Sequence, residues 1–461
     1  MTGRPGSYST QPRFPRLASE ATWVLTGQIT AAVGGVLGVP LLTHCLRPEE
    51  YGHLALGGTA AALVQQILFG PLGNAGGRFY ASSSEANVLG EYLRAAARML
   101  GAASALVGVV GGLAVAVLAG SRWKESVLLA GWSLAFAILS GISGAFDGIQ
   151  NAARQRAIVA WHQGLGVWLR FGCAVVLVRH FGGGGGTAMA GFAVAGTLVL
   201  VSQVLLFRRA ILSSPAFRSD ADPAVERQLR RQMFTYAWPF GTWGIFTWAQ
   251  MSSDRWALAA FTSTRGVGVY QTLYQIGYYP ISMASAFLTQ LVSPVLFSRA
   301  GDGTDDTRMR NTHHVINQLL AVCLLVSLAA VGAAALLHKA LFRLLLPPAY
   351  GSVSYLLPLV VLSSTIFACG QIASLKHVLS PHPRSLVAPK IVTALMGVGL
   401  NAAGAYLYGA AGVVVAGIGF STVYCAWVMA TAPKPTVPGN TTFQSGLESI
   451  IMRAGILTKP E

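Results

Sequence analysis

Three arginines, Arg78, Arg170 and Arg255, stand in or at the edge of long apolar stretches. A charge in hydrocarbon is costly, so one that is kept there points to function. A guanidinium presents forked donors that match phosphate and carboxylate oxygens. Arginines lining a water-filled cavity between apolar helices would therefore favour an anion. Each also has a plainer reading. Arg170, in Trp168-Leu169-Arg170-Phe171, lies deepest, and a purely structural role needs a carboxylate partner, for which Asp147 is the candidate. Arg255 has an opposite charge beside it in Asp254, and two readings are open. The pair partly neutralises itself in lipid, or it sits at the interface and reaches to water. Arg78, in Asn74-Ala75-Gly76-Gly77-Arg78-Phe79-Tyr80, either anchors a helix end or meets a phosphate at the inner mouth.

Other polar groups share these stretches. Tyr270, Tyr274 and Tyr278 recur at i, i+4 and i+8, one helical face, with Gln271 and Gln275 beside them. Such a stripe offers rings to stack on sugars and groups to bond their hydroxyls. Interfacial tyrosine belts give the same pattern. Gln28, Gln65, Gln66 and Gln250 suit hydrogen bonds between helices. His313 and His314 lie near Asp302, Asp305 and Asp306, a metal or proton site if not simply a solvated loop. His162 has no obvious partner for a proton relay. Pro239 is expected to kink its helix. The five cysteines are scattered, with no Cys-x-x-Cys, so neither a disulfide framework nor a zinc site is supported. Gly182–Gly186 lacks the Gly-Lys-Ser/Thr of a phosphate loop and reads as a linker. No catalytic residue, metal or cofactor is expected, and without a nucleotide-binding domain any driving force comes from an ion gradient or from product removal.

The elements that position these groups follow from composition. Only 10% of the 461 residues are charged, against about 25% in a soluble domain, and mean hydropathy is +0.55. Apolar runs long enough to cross a bilayer recur about twelve times: 21–43, 54–76, 99–120, 126–146, 158–178, 187–207, 234–251, 270–291, 315–337, 353–375, 385–407 and 411–429. The net charge of +16 would suggest nucleic acid in a soluble protein. Here it sits in the connections, so a membrane explains it. With the N-terminus placed in the cytoplasm, inner segments hold about 23 Lys and Arg and outer segments about 7, a positive-inside bias with both ends cytoplasmic. The expected organisation is a cytoplasmic segment 1–20, a six-helix bundle 21–207, a basic cytoplasmic linker 208–233, a second six-helix bundle 234–430 and a tail 431–461 that is disordered or lies on the membrane. The halves echo one another: Arg47-Pro48-Glu49-Glu50-Tyr51-Gly52 follows the first span and Arg265-Gly266-Val267-Gly268-Val269-Tyr270 the seventh. A parallel repeat with a site between the halves would give this pattern.

At these residues the chain resembles a known family. Leu46-Arg47-Pro48-Glu49-Glu50-Tyr51-Gly52, Ala153-Arg154-Gln155-Arg156, Tyr236-Ala237-Trp238-Pro239-Phe240, Ser252-Ser253-Asp254-Arg255-Trp256, Val267-Gly268-Val269-Tyr270 and Pro348-Ala349-Tyr350-Gly351 are similar, in order and spacing, to the flippases of lipid-linked oligosaccharides. These belong to the multidrug/oligosaccharidyl-lipid/polysaccharide exporter superfamily. The resemblance runs from about Ala21 to Met429. It implies an all-α polytopic membrane protein of about twelve helices, in two six-helix bundles forming a V open alternately to each side. It implies a cargo carried on a polyprenyl diphosphate, moved from the cytoplasmic to the outer leaflet of a bacterial inner membrane for surface polysaccharide assembly. The resemblance matches Arg78, Asp254 and Arg255, and Arg170 loosely; with Gln271 and Tyr274 of the stripe they make the expected substrate-binding set, with membrane lipids as partners and H+ or Na+ as the coupling ion where one is used. The first helix departs from some relatives in having no basic residue from Trp23 to Thr43. The rivals are a cation-coupled drug or metabolite exporter of the same superfamily, a membrane glycan polymerase or ligase, and a flippase for the peptidoglycan precursor. Few acidic residues lie within the spans and the outer connections are short, which counts against the first two.

Overall fold

Helix start signals fix much of the architecture. Pro48 begins one helix and is followed at once by Glu49 and Glu50, acids that suit the positive end of a helix dipole. Asp222 caps another, its carboxylate accepting from the Ala224 N–H at 2.7 Å, with Pro223 next. Asp305 does the same for Thr307 and Arg308 at 2.8 and 3.0 Å. In the computed structural model, residues 14–119, 124–212, 222–300, 305–379 and 383–433 are described. They are helical throughout, with no strand among the described residues.

In chain order the helices are α1 (Phe14–Thr43), α2 (Pro48–Glu85), α3 (Leu89–Ala119), α4 (Lys124–Ala152), α5 (Arg156–Phe181) and α6 (Gly185–Leu212). Then come α7 (Pro223–Phe261), α8 (Thr264–Ala300), α9 (Asp306–Leu345) and α10 (Pro348–Val378). The last element, Val387–Ala430, breaks at Gly409 (φ 58°, ψ −134°) into two arms, α11 (387–408) and α12 (410–430). Only glycine adopts that φ without strain at this fold-back. Among the described residues ten stretches are long and apolar enough to cross a membrane, the two arms counting as one. α7 is long enough but is not among them: its uncharged stretch between Arg231 and Asp254 is rich in Trp, Thr, Gly and Gln and is too weakly apolar.

Helices α1 to α6 pack on one another chiefly through α1–α5, α5–α6, α4–α6 and α2–α4. Helices α7 to α12 do so through α7 with the α11/α12 pair, α10 with that pair, and α9–α10. α10 is the most buried helix. Large apolar side chains such as Leu113, Val117, Leu336 and Leu344 face outward, as a bilayer, not water, would favour. The lobes meet along α2–α8, along α2 and α3 with α7, and along α1–α8.

Several expectations change. The helices run past the expected spans at their polar ends. The linker expected at 208–233 is helical at both ends, because Asp222 and Pro223 start α7 there. The expected 1–20 segment already contains the start of α1, with residues 1–13 outside the described set. Residues 213–221 and the tail from Lys434 lie outside it too, as does Asp302. The glycine run is more than a spacer: the Gly185 N–H donates to Glu50 Oε2 at 2.6 Å, and a β-carbon on Gly184 would overlap that carboxylate. Glu50→Ala is therefore expected to cost about 1 kcal/mol, visible as a lower melting temperature of the purified protein, whereas Glu50→Gln should lose less.

Candidate functional site

The structure gathers four of the six expected site residues into one knot between α7 and α8. Asp254 Oδ1 accepts from the Arg255 backbone N–H at 2.8 Å and from Arg255 Nη1 at 3.1 Å. The Tyr270 hydroxyl donates to Asp254 Oδ2 at 2.8 Å. Arg255 Nε donates to Gln271 Oε1 at 2.8 Å and Nη1 to the Met251 carbonyl at 2.6 Å. The guanidinium lies 3.7 Å from the centre of the Tyr274 ring, a cation–π contact.

The stripe read as regular helix holds a π-helical turn at Tyr274–Tyr278, a feature common at functional sites. It brings Tyr274 and Tyr278 into a stack at 4.9 Å and 14°. Tyr270 and Tyr278 are buried and not free to stack on a sugar. Asp254 and Arg255 are 8% and 3% exposed. They sit inside α7, which runs on to Phe261, rather than at a helix end as expected. The interfacial reading of the pair is thus overturned: the carboxylate neutralises the arginine within the lobe. The cavity beside them, lined by Asp254, Tyr270, Tyr274, Ser363 and Asn401, has about 30 Å³ of space, room for one or two waters and not for a sugar.

Arg170 stands apart. Its Nε donates to the Gly166 carbonyl at 3.2 Å within α5, and its guanidinium lies 5.9 Å from the Phe136 ring. Among the described residues no carboxylate pairs with it. The expected partner, Asp147, is engaged elsewhere, accepting from Gln203 at 2.7 Å and Gln163 at 3.1 Å. The next charged or polar neighbour of Arg170 is across the lobes. Tyr279, just after the π turn of α8, is an electrostatic neighbour of both Arg170 and Tyr274, and it packs on Gly35 of α1. Arg78 is not brought to this place. It is exposed at the far end of α2 with no partner among the described residues.

Some functional candidates escaped the sequence. Lys390, within the expected span 385–407 but not singled out as a site, lies in α11 with its ammonium 5.1 Å from the Trp243 ring of α7. It shares a recess with Gln371 and Tyr424. A lysine three residues into an apolar run was the available signal. His162 has a partner after all, Ser202 at 3.1 Å, besides the Ile158 carbonyl at 2.8 Å. Among the described residues no group of His, Cys, Asp and Glu is placed to hold a metal.

The echo between the halves resolves into a contact. Gly52 of α2 and Gly268 of α8 cross so closely that a β-carbon on Gly268 would lie 1.8 Å from the Pro48 carbonyl oxygen, and one on Gly52 2.0 Å from that of Thr264. Around the crossing, Arg265 pairs with Glu49 at 3.3 Å and the Tyr350 hydroxyl donates to the Leu46 carbonyl at 2.9 Å. Tyr51 and Tyr350 meet edge to face at 6.1 Å. Three of the short motifs, scattered through the sequence, therefore close one end of the interface between the lobes.

Comparisons with known proteins agree with this architecture. The structure of a lipid II flippase, MurJ, in an inward closed conformation superposes with a TM-score of 0.65 at 13% identity, over 96% of this chain and 94% of that one. An inward-facing multidrug resistance MATE family transporter of the MOP superfamily gives 0.61 at 14% identity, over 93% and 99%. A MOP superfamily transporter from Pyrococcus furiosus gives 0.50 at 15%, over 89% and 95%. No curated protein sequence matches. The family model for polysaccharide biosynthesis proteins matches residues 17–299, and the chain, a multi-pass membrane protein with the MurJ and MATE transporter fold, belongs to that family.

Proposed function

We propose that the protein is a flippase, not an enzyme, that carries a polyprenyl-diphosphate-linked oligosaccharide from the cytoplasmic to the outer leaflet of a bacterial inner membrane. Both termini lie in the cytoplasm on this reading, and α7 and both arms of the last hairpin span, making twelve crossings. The observation that carries it is Arg170, a guanidinium within an apolar helix that has no carboxylate partner among the described residues. A cation kept in that setting is neutralised by what passes it, and a diphosphate supplies the charge. The family of polysaccharide biosynthesis proteins supports a glycan head. Without a protein path, the glycan and diphosphate would have to shed their hydration in hydrocarbon, a cost a polar cavity removes. The two lobes rock about the cargo, closing and opening the Gly52–Gly268 crossing, while the lipid tail stays in the bilayer.

In this scheme Arg170 contacts the cargo, and Arg255 holds Asp254, Gln271 and Tyr274 in place beneath it. Arg78 receives the phosphate at the inner mouth. Arg170→Ala is expected to lower delivery about tenfold or more, the loss of a hydrogen bond to a charged group, with unchanged membrane insertion. Arg170→Lys should recover part of it. A peptidoglycan precursor is the same chemical class and is separated by which lipid-linked glycan accumulates. In cells lacking the protein, intact lipid-linked repeat units should build up inside and vanish from an outer-leaflet glycan probe. Normal outer delivery of unpolymerised units would instead indicate an enzyme.

The likeness to a MATE transporter favours a second reading, export of cationic drugs by the same rocking motion. Asp147 is the acidic residue available for it, since Asp254 is committed to Arg255. Unchanged glycan pools with raised drug sensitivity in the deleted cell would establish that reading in place of the first.

A further inference from the structure

A groove of about 770 Å³ runs between the lobes on the face formed by α2, α3 and α7. Its floor is apolar, with Leu72, Met99, Leu106, Phe234, Trp238 and Ile245 among its lining. Arg98, Arg227, Arg230 and Arg231 line its mouth. The sequence of α7 builds both parts on one face. Arg227, Arg231, Phe234, Trp238 and Ile245 recur at spacings of three, four or seven residues. Among the described residues the acid paired with these arginines is Glu226, buried and bridged to Arg98 at 2.8 Å and to Arg230 at 3.7 Å. Arg227 and Arg231 have no partner among the described residues. Among the described residues the groove lining thus holds four arginines and no carboxylate, with Glu226 paired to two of them.

We propose that this groove binds an anionic diacyl phospholipid, its phosphate on Arg227 and Arg231 and one acyl chain along Phe234, Trp238 and Ile245. Length, charge and access point to that occupant. Arg231 and Ile245 are fourteen residues apart on α7, about 21 Å, enough for a chain filling one leaflet of about 15 Å. Juxtamembrane arginines attract anionic headgroups. Phe234, Trp238 and Ile245 are exposed to the lipid side. The groove does not lead to Arg170. Gly241 and Gly244 of α7 pack directly on the Ile67 and Gln66 carbonyls of the π-helical turn in α2, which walls it off. That separates the occupant from a cargo on its way between the lobes. Because α3 belongs to the first lobe and α7 to the second, a lipid seated here favours the arrangement in which Arg98 and Glu226 touch, by simple linkage. The inference stands whatever the cargo proves to be.

The test uses the full-length protein in nanodiscs of phosphatidylcholine doped with phosphatidylglycerol, with bound lipid counted by native mass spectrometry. Wild type should retain one phosphatidylglycerol in preference to phosphatidylcholine. The pair Arg227→Gln/Arg231→Gln should weaken it roughly thirtyfold, the effect of two surface arginines on an anionic lipid. Ala102→Trp, which fills the groove from an exposed position on α3 and keeps every arginine, should remove it as well. Arg308→Gln/Arg310→Gln, a matched loss of charge at the start of α9, should leave it. Equal weakening by that control pair would mean general surface attraction and overturn the site. So would retention of the lipid in Ala102→Trp, or displacement of the lipid at equal stoichiometry by undecaprenyl diphosphate, which would assign the groove to the cargo.

Discussion

Gly268→Leu is expected to abolish delivery of the lipid-linked glycan to the outer leaflet while leaving the protein folded and inserted. The reason is local. A β-carbon at Gly268 already overlaps the Pro48 carbonyl oxygen, and backbone on a facing helix cannot swing aside as a side chain does. Three more carbons force α2 and α8 apart by ångströms. The Arg265–Glu49 pair and the Tyr350–Leu46 hydrogen bond span the same crossing and part with it. Overpacking of this kind costs about 1–3 kcal/mol. That is small beside the contacts within each lobe, but it is enough to depopulate a state closed at this end about five- to 150-fold. A transporter that cannot close one end does not alternate. Gly268→Ala should fall between wild type and Leu. Gly58→Leu, on the same helix α2 where a β-carbon meets nothing within 4 Å, should transport normally. An outer-leaflet glycan probe, with membrane-fraction blotting as the insertion control, reads all three. Normal delivery by Gly268→Leu would remove the crossing from the transport cycle.

The second large effect concerns the knot. Asp254→Ala leaves the Arg255 charge buried with its carboxylate gone, and breaking a buried pair in this way typically costs about 3–5 kcal/mol. The melting temperature of the purified protein should drop steeply. Removing both charges by Asp254→Leu/Arg255→Met takes away the unpaired charge and should restore most of the stability, since an apolar pair of similar volume replaces a desolvated ion pair with little loss. Transport should not return with it. Arg255 also holds Gln271 and the face of Tyr274, and without it Tyr274 is no longer fixed against Tyr278 beside the cavity. A double variant that is both stable and fully active would show the knot to be a folding device alone.

How much of this was legible in the sequence varies by kind of information. The spans were readable because a bilayer demands about twenty apolar residues for each crossing, and the caps at Asp222 and Asp305 explain why the helices outrun those spans. Their polar ends leave the bilayer, where hydropathy says nothing about helix. α7 reads as a span only from its stretch 234–251. That stretch is uncharged but only weakly apolar, because Trp, Tyr, Thr, Gly and Gln fill much of it. The membership of Asp254, Arg255, Gln271 and Tyr274 in one cluster was foreshadowed by helical spacing on α8, but burial was not. Whether an Asp-Arg pair faces water or protein depends on which helix packs against it, and spacing along one chain does not encode that. The same holds for Arg170 and Asp147. Both charges stood out, yet pairing them required a side-by-side placement that the structure does not provide. The Gly52–Gly268 echo carried more than expected, since the two motifs meet directly, each glycine packing on backbone of the other helix. Lys390 was missed because a lysine near a helix end is usually an anchor, and only the neighbouring Trp243 marks it as something else.

The central claim is the movement of a lipid-linked glycan between leaflets. The most direct measurement reconstitutes the purified protein into vesicles whose inner leaflet alone carries a polyprenyl-diphosphate-linked oligosaccharide. The fraction that becomes cleavable by an external, membrane-impermeant glycosidase is then followed over time. The account predicts time-dependent cleavage with wild type, much slower cleavage with Arg170→Ala and none above empty vesicles with Gly268→Leu. Cleavage no faster than in empty vesicles with wild type, in vesicles that do take up a cationic dye through it, would contradict the account and make the protein a drug exporter.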